Sequence, residues 1–283
     1  MIKIALPNKG ALADEAMALV REAGYRCKRT TGKELSLLDV DNDVEFVFLR
    51  PRDIAVYVQK GILELGITGR DLNFDAEVPA HEVMALGFGG SRFQYAVPKA
   101  SKLTPDQFGG LRIACSYTNI VTRDLAARKI KATVVPLDGA VEISIRLGVA
   151  DAIGDVVESG QTLREAGLKT VGEPVMVSEA IVIAKDGKPE SQAQCRTFLN
   201  RLRGVTVARE YGMIAYNIPK SLLSKAVQLT PGIEAPTISP LKDEKWTAVA
   251  ALAKKKEVNA IIDKLAELGA KGIIVTDIRT CRL

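Results

Sequence analysis

The 283-residue chain contains very little histidine and few cysteines, and these shortages exclude several kinds of active site. Its one histidine, His81, has no ligand-type neighbour in the sequence and is expected to be structural or exposed. This shortage argues strongly against a zinc site and against a Ser-His-Asp triad. The four cysteines, at positions 27, 115, 195 and 281, form no CxxC pair. Such spacing is typical of reduced thiols in a reducing compartment.

Long apolar runs and strongly charged tracts are also missing. The chain is 47% hydrophobic, yet no stretch approaches the length of about 20 apolar residues that spans a bilayer. Its first residues pass directly into patterned sequence without the apolar core of a signal peptide, so we expect a cytoplasmic protein that contacts no membrane. Thirty-nine basic and 34 acidic residues give a formal charge of +5. No basic run interleaved with aromatic residues indicates nucleic-acid binding.

Short β-rich runs alternate with helical patterns along most of the chain, which predicts parallel sheets with crossover helices. The predicted strands are Ile2–Leu6, Val44–Leu49, Leu63–Thr68, Glu82–Phe88, Phe93–Pro98, Leu111–Cys115, Ala132–Pro136, Ala152–Val157 and Glu179–Ala184. The predicted helices are Ala11–Gly24, Asp53–Lys60, Ile120–Lys129, Gly139–Leu147 and Glu190–Val207. The pattern thus indicates an α/β core.

Two places in this core are expected to cross between lobes. Gly89 and Gly90 fit a hinge, because adjacent glycines permit unusual backbone angles. The strand from Glu179 is expected to return across the same hinge. Two α/β lobes joined by two crossings form an architecture like that of periplasmic binding proteins, with a ligand cleft between the lobes. We predict residues 1–90 and 184–211 as the first lobe and residues 91–183 as the second.

The chain changes character near Gly212. Strands are predicted at Met213–Ile218, Thr237–Leu241, Thr247–Ala253 and Ile273–Thr276, and helices at Pro219–Val227 and Glu257–Leu268. The order β-α-β-β-α-β is that of a ferredoxin-like unit. We therefore predict residues 212–283 as an α+β domain of the ACT-like regulatory type.

The most informative segment for chemistry runs from Asp155 to Thr162, where a predicted strand passes into a predicted helix. The free N–H groups and partial positive charge of a helix N-terminus attract phosphate. Gly160 allows close approach of the backbone, and the hydroxyls of Ser159 and Thr162 add donors. Asp155 can accept hydrogen bonds from ribose hydroxyls. The segment therefore favours the binding of a phosphorylated ribose. The alternative is an ordinary capped turn without a ligand. The glycine motifs of the standard nucleotide-binding folds are absent from the sequence.

The surroundings of this segment resemble the signature of ATP phosphoribosyltransferases. The matching positions are Glu142, Gly148, Ala150, Ile153, Asp155, Val156, Ser159, Gly160, Thr162 and Leu163. Further similar blocks in the two lobes begin at Pro7, Phe48, Gly66, Leu86, Arg112, Ser116 and Asp138. Two blocks of the tail, which begin at Leu229 and Ala235, resemble the C-terminal domain of the family's long form.

The resemblance implies two substrate sites. Phosphoribosyl pyrophosphate is expected on Asp155, Glu158, Ser159, Gly160, Gln161 and Thr162. ATP is expected near Lys9, Arg50, Arg70, Tyr117 and Glu142. Arg50, Glu142 and Asp155 are candidates for a catalytic role. Four of the ATP-site candidates have an ordinary structural alternative. Glu142 is then a carboxylate that stabilises a helix dipole, Lys9 is simply exposed, and Tyr117 packs in the core. Arg70 then forms an ion pair with Asp71. Of Arg50 and Arg52, the family pattern favours Arg50 as the phosphate ligand, with Arg52 at the surface.

The implied reaction joins N1 of the adenine of ATP to C1 of the ribose with loss of pyrophosphate, the first step of histidine biosynthesis. This nitrogen carries a lone pair, so no general base is required. Mg²⁺ is expected to arrive with the substrate phosphates, and no protein metal site is predicted. Two other functions stay open, a two-lobed binding module without catalysis and a salvage phosphoribosyltransferase that acts on a free base.

The tail carries the regulatory prediction. Its resemblance implies a homo-oligomer, from dimer to hexamer, that is inhibited by L-histidine. The expected histidine-binding residues are Asn217, Ile233, Thr237, Gly272 and Thr276. Related chains tend to carry carboxylates near Ala215 and Asn217. We therefore expect inhibition to be present but weaker.

Overall fold

The computed structural model describes residues 1–282, which form three β-sheets. The strands are β1 Ile2–Pro7, β2 Ser36–Asp39, β3 Val44–Leu49, β4 Leu65–Gly69, β5 His81–Ala85, β6 Ser91–Pro98, β7 Arg112–Cys115, β8 Thr133–Pro136, β9 Ala152–Val157, β10 Leu168–Ser178, β11 Ala180–Ala184, β12 Tyr211–Pro219, β13 Thr237–Pro240, β14 Trp246–Lys254 and β15 Lys271–Asp277. The α-helices are α1 Ala11–Glu22, α2 Pro51–Gln59, α3 Arg70–Asp75, α4 Thr118–Ala127, α5 Ile143–Arg146, α6 Gln161–Glu165, α7 Ala193–Glu210, α8 Leu223–Leu229 and α9 Val258–Glu267.

The first lobe is built on a six-stranded sheet in the order β2-β3-β1-β4-β11-β5. The strand β1 runs parallel to β3 and β4, and consecutive residues such as Ile4, Ala5 and Leu6 are all buried. A run of buried apolar residues is typical of a parallel strand covered on both faces. Helix α2 packs Ile54 and Val58 into this core.

The second lobe is built on a five-stranded sheet in the order β10-β6-β9-β7-β8. Phe93 and Tyr95 alternate along β6 and pack with Ile120 and Val121 of α4. Phe108, which lies between β6 and β7, packs edge to face against Tyr95, with the ring centroids 5.1 Å apart. This apolar core fixes one face of β6 and leaves the alternate residues of the strand for the opposite face.

Two segments connect the lobes. The chain leaves the first sheet after β5 and enters the second at β6, and it returns between β10 and β11. Gly89 lies in the outgoing segment with φ of +65°, and a Cβ there would stand only 2.5 Å from the Leu12 side chain. The positive φ therefore favours glycine at this position, and any other residue would also displace the Leu12 side chain. The predicted two-lobed α/β architecture is confirmed.

The tail sheet has the order β13-β14-β12-β15 and is antiparallel throughout. Its inner face packs Ile214, Tyr216 and Val249 against Leu265 of α9. The predicted ferredoxin-like order of elements is confirmed. By contacts, residues 22–24 and those from Thr197 onward form one compact unit, so most of α7 groups with the tail. The domain boundary at residue 212 stays a prediction.

Three elements were not predicted from the sequence. Strand β2 is an edge strand whose Leu38 is exposed. Its apolar residues therefore do not follow the alternation expected of a strand with one buried face. Helix α3 has only six residues and buries three polar ones. Strand β10 is interrupted between Val171 and Met176, where its register with β6 shifts. Within the described range, no helix has both the length and the apolar character of a membrane span.

Candidate active site

A cleft of about 210 Å³ opens between the two lobes. The first lobe contributes the loop after β1 and the ends of β3 and β4, and the second contributes the start of α4 and the end of β9. Its lining residues include Lys9, Gly10, Pro51, Gly69, Tyr117, Val156, Glu158 and Ser178. The carboxyl ends of parallel strands meet here, which is where ligands collect in open α/β sheets.

The predicted phosphoribosyl segment contributes Val156 and Glu158 to the lining of this cleft. Gly160 has φ of +69° and caps the five-residue helix α6, while Ser159 and Thr162 are exposed. The Ser159 hydroxyl accepts a weak hydrogen bond of 3.4 Å from the Gln161 amide. The loop therefore presents hydroxyls and backbone N–H groups from a left-handed turn that suits glycine.

Asp155 lies near the end of β9 and is partly buried. One of its carboxylate oxygens accepts the amide N–H of Val156 at 2.8 Å. Burial raises the pKa of Asp155, and the negative charge of Glu142 raises it further. The two carboxylates therefore repel each other, although Glu142 lies in a different segment, immediately before α5.

A larger open cavity of about 480 Å³ lies beside the loop and shares Glu158, Ser159 and Gly160 with it. Four cationic side chains line this cavity: Arg92, Lys99, Arg164 and Lys169. The sequence did not single out any of them. The available signal was the alternation of Arg92 and Gln94 with buried Phe93, which places the polar pair on one face of β6.

The candidates for ATP binding differ in their surroundings. Lys9 lines the cleft, whereas Arg50 is exposed immediately before α2. Tyr117 also lines the cleft, and its ring meets Phe93 edge to face at 5.6 Å. Burial raises the pKa of the Tyr117 hydroxyl, as does the nearby charge of Asp71. Tyr117 therefore stays neutral and offers an aromatic face or a hydroxyl to the cleft.

Arg70 is held by two carboxylates. Its guanidinium donates to Glu82 at 2.7 and 2.8 Å and to Glu179 at 3.1 Å. These bonds, chiefly that to Glu82, raise the pKa of Arg70. Asp71 instead accepts the hydroxyl of Ser178 at 2.9 Å. The Arg70–Asp71 ion pair considered from the sequence is wrong, and the two glutamates favour a structural role for Arg70.

Arg52 is not a plain surface residue as expected. Its guanidinium lies 4.9 Å from the centroid of the Tyr117 ring and bonds Asp75 at 2.5 Å. Both partners restrict the side chain. Arg52 is thus held by Asp75 and Tyr117, whereas Arg50 is exposed at the residue before α2.

Replacement of Asp155 by Asn is expected to stabilise the protein while it weakens binding of the ribose donor. A carboxylate whose pKa is raised by folding stabilises the fold when protonated, and this contribution is lost as pH rises through the raised pKa. Asp155→Asn should therefore raise Tm by about 2 °C at neutral pH, with a smaller gain in acid. The KM for the donor should rise about tenfold, the loss of one bond to a charged group.

Asp151→Asn is the matched control for this prediction. Its carboxylate is paired with Arg112, which lowers the pKa of Asp151. A lowered pKa gives stability that is present above the unfolded value and lost in acid. Thermal unfolding from pH 4 to pH 8 should therefore show changes of opposite sign for the two variants. Equal changes would contradict the assignment of Asp155.

Four of the five predicted effector residues of the tail lie on its sheet. Asn217 is on β12, Thr237 on β13, and Gly272 and Thr276 on β15. A Cβ at Gly272 would stand 3.6 Å from the Asn217 amide nitrogen, so these two positions are neighbours. Ile233 lies in the segment between α8 and β13 and is partly buried.

The family is decided by two sequence matches. The family model described as ATP phosphoribosyltransferase matches residues 50–204, more than half of the chain. The chain belongs to the ATP phosphoribosyltransferase family. A second model, described as the HisG C-terminal domain, matches residues 208–280. The resemblance stated from the sequence is thereby confirmed, together with a phosphoribosyl-transferring activity and a place in histidine biosynthesis.

Relatives agree over the full length. An ATP phosphoribosyltransferase from Salinibacter ruber is 55% identical, with 100% of each chain covered. The enzyme of the same name from Saccharopolyspora erythraea is 53% identical over the same shares. Among solved structures, the ATP phosphoribosyl transferase (HisG:HisZ) complex from Thermotoga maritima aligns with a TM-score of 0.61. That alignment has 24% identity and covers 71% of this chain and 96% of the other, and it supports the fold alone.

Proposed function

We propose that this chain condenses ATP with 5-phosphoribosyl 1-pyrophosphate to give N1-(5-phosphoribosyl)-ATP and pyrophosphate, the first step of L-histidine biosynthesis. The observation that carries this function is the Asp155–Thr162 segment at the edge of the inter-lobe cleft in a chain of this family. The alternative of a binding module without catalysis leaves this segment without a purpose.

The ribose donor binds through Asp155, Glu158, Ser159, Gly160, Gln161 and Thr162. The hydroxyls and N–H groups of residues 159–162 bond the 5′-phosphate, and Asp155 accepts bonds from the ribose hydroxyls. The neighbouring cations Arg92 and Lys169 line the adjacent cavity and add positive potential at the phosphate. Cavity and loop together suit an anion that carries a hydroxylated ring.

ATP binds in the cleft between the two lobes. Tyr117 offers its aromatic ring to the adenine, and Lys9 faces the same cleft from the loop after β1. Arg50 contacts a phosphate, and Glu142 orients the ribose or the adenine. Arg70 is left out of this set because Glu82 and Glu179 hold its Nε and Nη2 groups.

Catalysis rests on orientation and electrostatics. The adenine N1 uses its own lone pair to form the bond to C1 of the ribose, and the bond from C1 to the pyrophosphate oxygen breaks with its electron pair. No proton is removed from N1, so no general base is required. Negative charge grows on the leaving pyrophosphate, where cations such as Lys9 and Arg50 act. Alignment of the two substrates contributes most of the remaining acceleration.

Mg²⁺ accompanies the pyrophosphate. No group of three or more His, Cys, Asp or Glu residues within positions 1–282 could hold a metal ion. Mg²⁺ in phosphate chemistry uses one or two carboxylates and completes its shell with phosphate oxygens and water. Asp155 and Glu158 are the two carboxylates of the phosphoribosyl segment and would be these ligands. When bound, the ion offsets the charge of the leaving group.

Feedback inhibition by L-histidine acts through the tail, residues 212–283. L-histidine binds through Asn217, Ile233, Thr237, Gly272 and Thr276 in a cytoplasmic homo-oligomer, up to a hexamer. Thr237 and Thr276 lie on β13 and β15, three strand spacings apart and therefore about 14 Å across the sheet. One free amino acid does not reach both, which favours a pocket shared between subunits.

The reaction itself tests the proposed function. Purified protein mixed with ATP, phosphoribosyl pyrophosphate and Mg²⁺ should give an adduct with altered adenine absorbance, together with one pyrophosphate per adduct. Omission of Mg²⁺ should stop the reaction. Adenine supplied as the free base should give no product, whereas a salvage enzyme would use it. A protein that binds ATP but releases no pyrophosphate would be a binding module.

A further inference from the structure

The short helix α3 of the first lobe ends in a carboxylate that is almost completely enclosed. The Asp75 side chain is only 3% exposed. One of its oxygens accepts the backbone N–H groups of Asn119 at 2.9 Å and Ile120 at 3.1 Å. Both amides belong to α4 of the second lobe. A buried charge is tolerated only when it is well bonded, and here the second lobe provides part of that bonding.

Helix α4 has no cap of its own. The residue before it, Tyr117, forms no side-chain cap hydrogen bond. The first N–H groups of a helix have no intrahelical acceptor, and a negative charge beside them also meets the helix dipole favourably. The Asp75 carboxylate serves both needs from across the lobe boundary. The Asn119 amide nitrogen returns a bond to the Asp75 carbonyl at 2.5 Å.

The other Asp75 oxygen is connected to the cleft through Arg52 and Tyr117. It bonds Arg52 at 2.5 Å. Arg52 also donates to the Ser116 carbonyl at 2.8 Å and lies over the Tyr117 ring at 4.9 Å. Tyr117 lines the cleft itself. Asp75 therefore fixes the start of α4 directly and the aromatic wall of the cleft through Arg52.

We infer that Asp75 is a positioning residue that, together with Arg52, sets the location of the Tyr117 ring for the adenine of ATP. This rests on the proposed function, because it uses Tyr117 as the adenine contact. Asp75 touches no substrate. Its effect should therefore appear in the binding of ATP and not in that of the ribose donor, because the bonds described for Asp75 and Arg52 do not reach the Asp155–Thr162 segment.

A double-mutant cycle on the full-length enzyme tests this inference. Asp75→Asn keeps an acceptor oxygen but removes the charge that holds Arg52, and Arg52→Gln removes the other partner. Each should raise the KM for ATP about tenfold and leave the KM for the donor within about twofold. The double variant should be no worse than the worse single variant, because both act through one contact. Asp41→Asn, which removes an exposed pairing with Arg26, is the control.

Amide hydrogen exchange gives a readout that does not depend on activity. Asp75→Ala should speed exchange at Asn119 and Ile120 at least tenfold, whereas Arg52→Gln should not. Normal exchange in Asp75→Ala would overturn the inference. An equal rise in the KM values for ATP and for the donor in the double-mutant cycle would also overturn it, because that result indicates a structural role only. If the wild type makes no adduct, the proposed function fails, and the exchange result still decides whether Asp75 caps α4.

Discussion

Replacement of Gly160 by Val is expected to reduce kcat/KM for the ribose donor by about 100-fold or more, while the protein still folds. Gly160 has φ of +69°, and a Cβ there would meet Arg164 at 3.3 Å and Val157 at 3.6 Å. A branched side chain would occupy the space through which the 5′-phosphate approaches the backbone. Displacement of a substrate by about 1 Å is enough to cost two orders of magnitude. Steady-state kinetics with either substrate varied would measure the loss.

The matched control is Gly167→Val. Gly167 follows α6 with φ of +73° and has open space where a Cβ would stand. Both variants force a branched residue into a left-handed turn, which costs about 1–2 kcal/mol, so they should lose similar stability. Only Gly160→Val should lose activity. If the two variants turn over equally, the 5′-phosphate does not bind at this loop.

The grouping of the loop residues could be predicted because they are close together in the sequence. Asp155, Ser159, Gly160 and Thr162 lie within one strand-to-helix connection, so spacing alone brings them together. The cavity beside it was missed because Arg92, Lys99 and Lys169 come from β6, β10 and their flanks. Strand pairing joins these residues, and a single sequence does not reveal that pairing.

The Arg70 ion pair failed for the same reason. Its sequence neighbour Asp71 was an obvious partner, but adjacent residues on a helix do not face each other. The actual partners are 12 and 109 residues away, at Glu82 and Glu179. Glu179 also accepts the N–H of Gly87 at 3.0 Å. One carboxylate thus ties together both segments that connect the lobes, a relation that exists only in the folded chain.

The order of elements was predictable where apolar periodicity was strong. The buried strands β1 and β11 and the amphipathic helix α9 have clear patterns. The elements that were missed lack such patterns, because α3 buries polar residues and β10 contains Gly172 and Pro174. Tertiary contacts stabilise these elements, and for that reason local propensity does not identify them.

Replacement of Asn217 by Asp is expected to strengthen inhibition by L-histidine about tenfold. Asn217 belongs to β12, and Ile214, Tyr216 and Ile218 of that strand are buried. Side chains alternate along a strand, so Asn217 lies on the sheet face opposite to this apolar core. A carboxylate there would accept a charge-assisted bond from the ammonium of histidine, roughly twice as strong as the bond to an amide. About 1.4 kcal/mol of added affinity corresponds to tenfold.

Two further variants complete this test. Asn217→Leu keeps the size of the side chain but removes the acceptor, and it should weaken inhibition. Asn259→Asp makes the same charge change at an exposed position of α9 and should leave inhibition unchanged. Activity without histidine should be normal in all three proteins, since both positions belong to the tail sequence and to none of the proposed substrate-binding residues. Inhibition curves that are superimposable for the wild type and both Asn217 variants would show that histidine does not bind at this face of the tail.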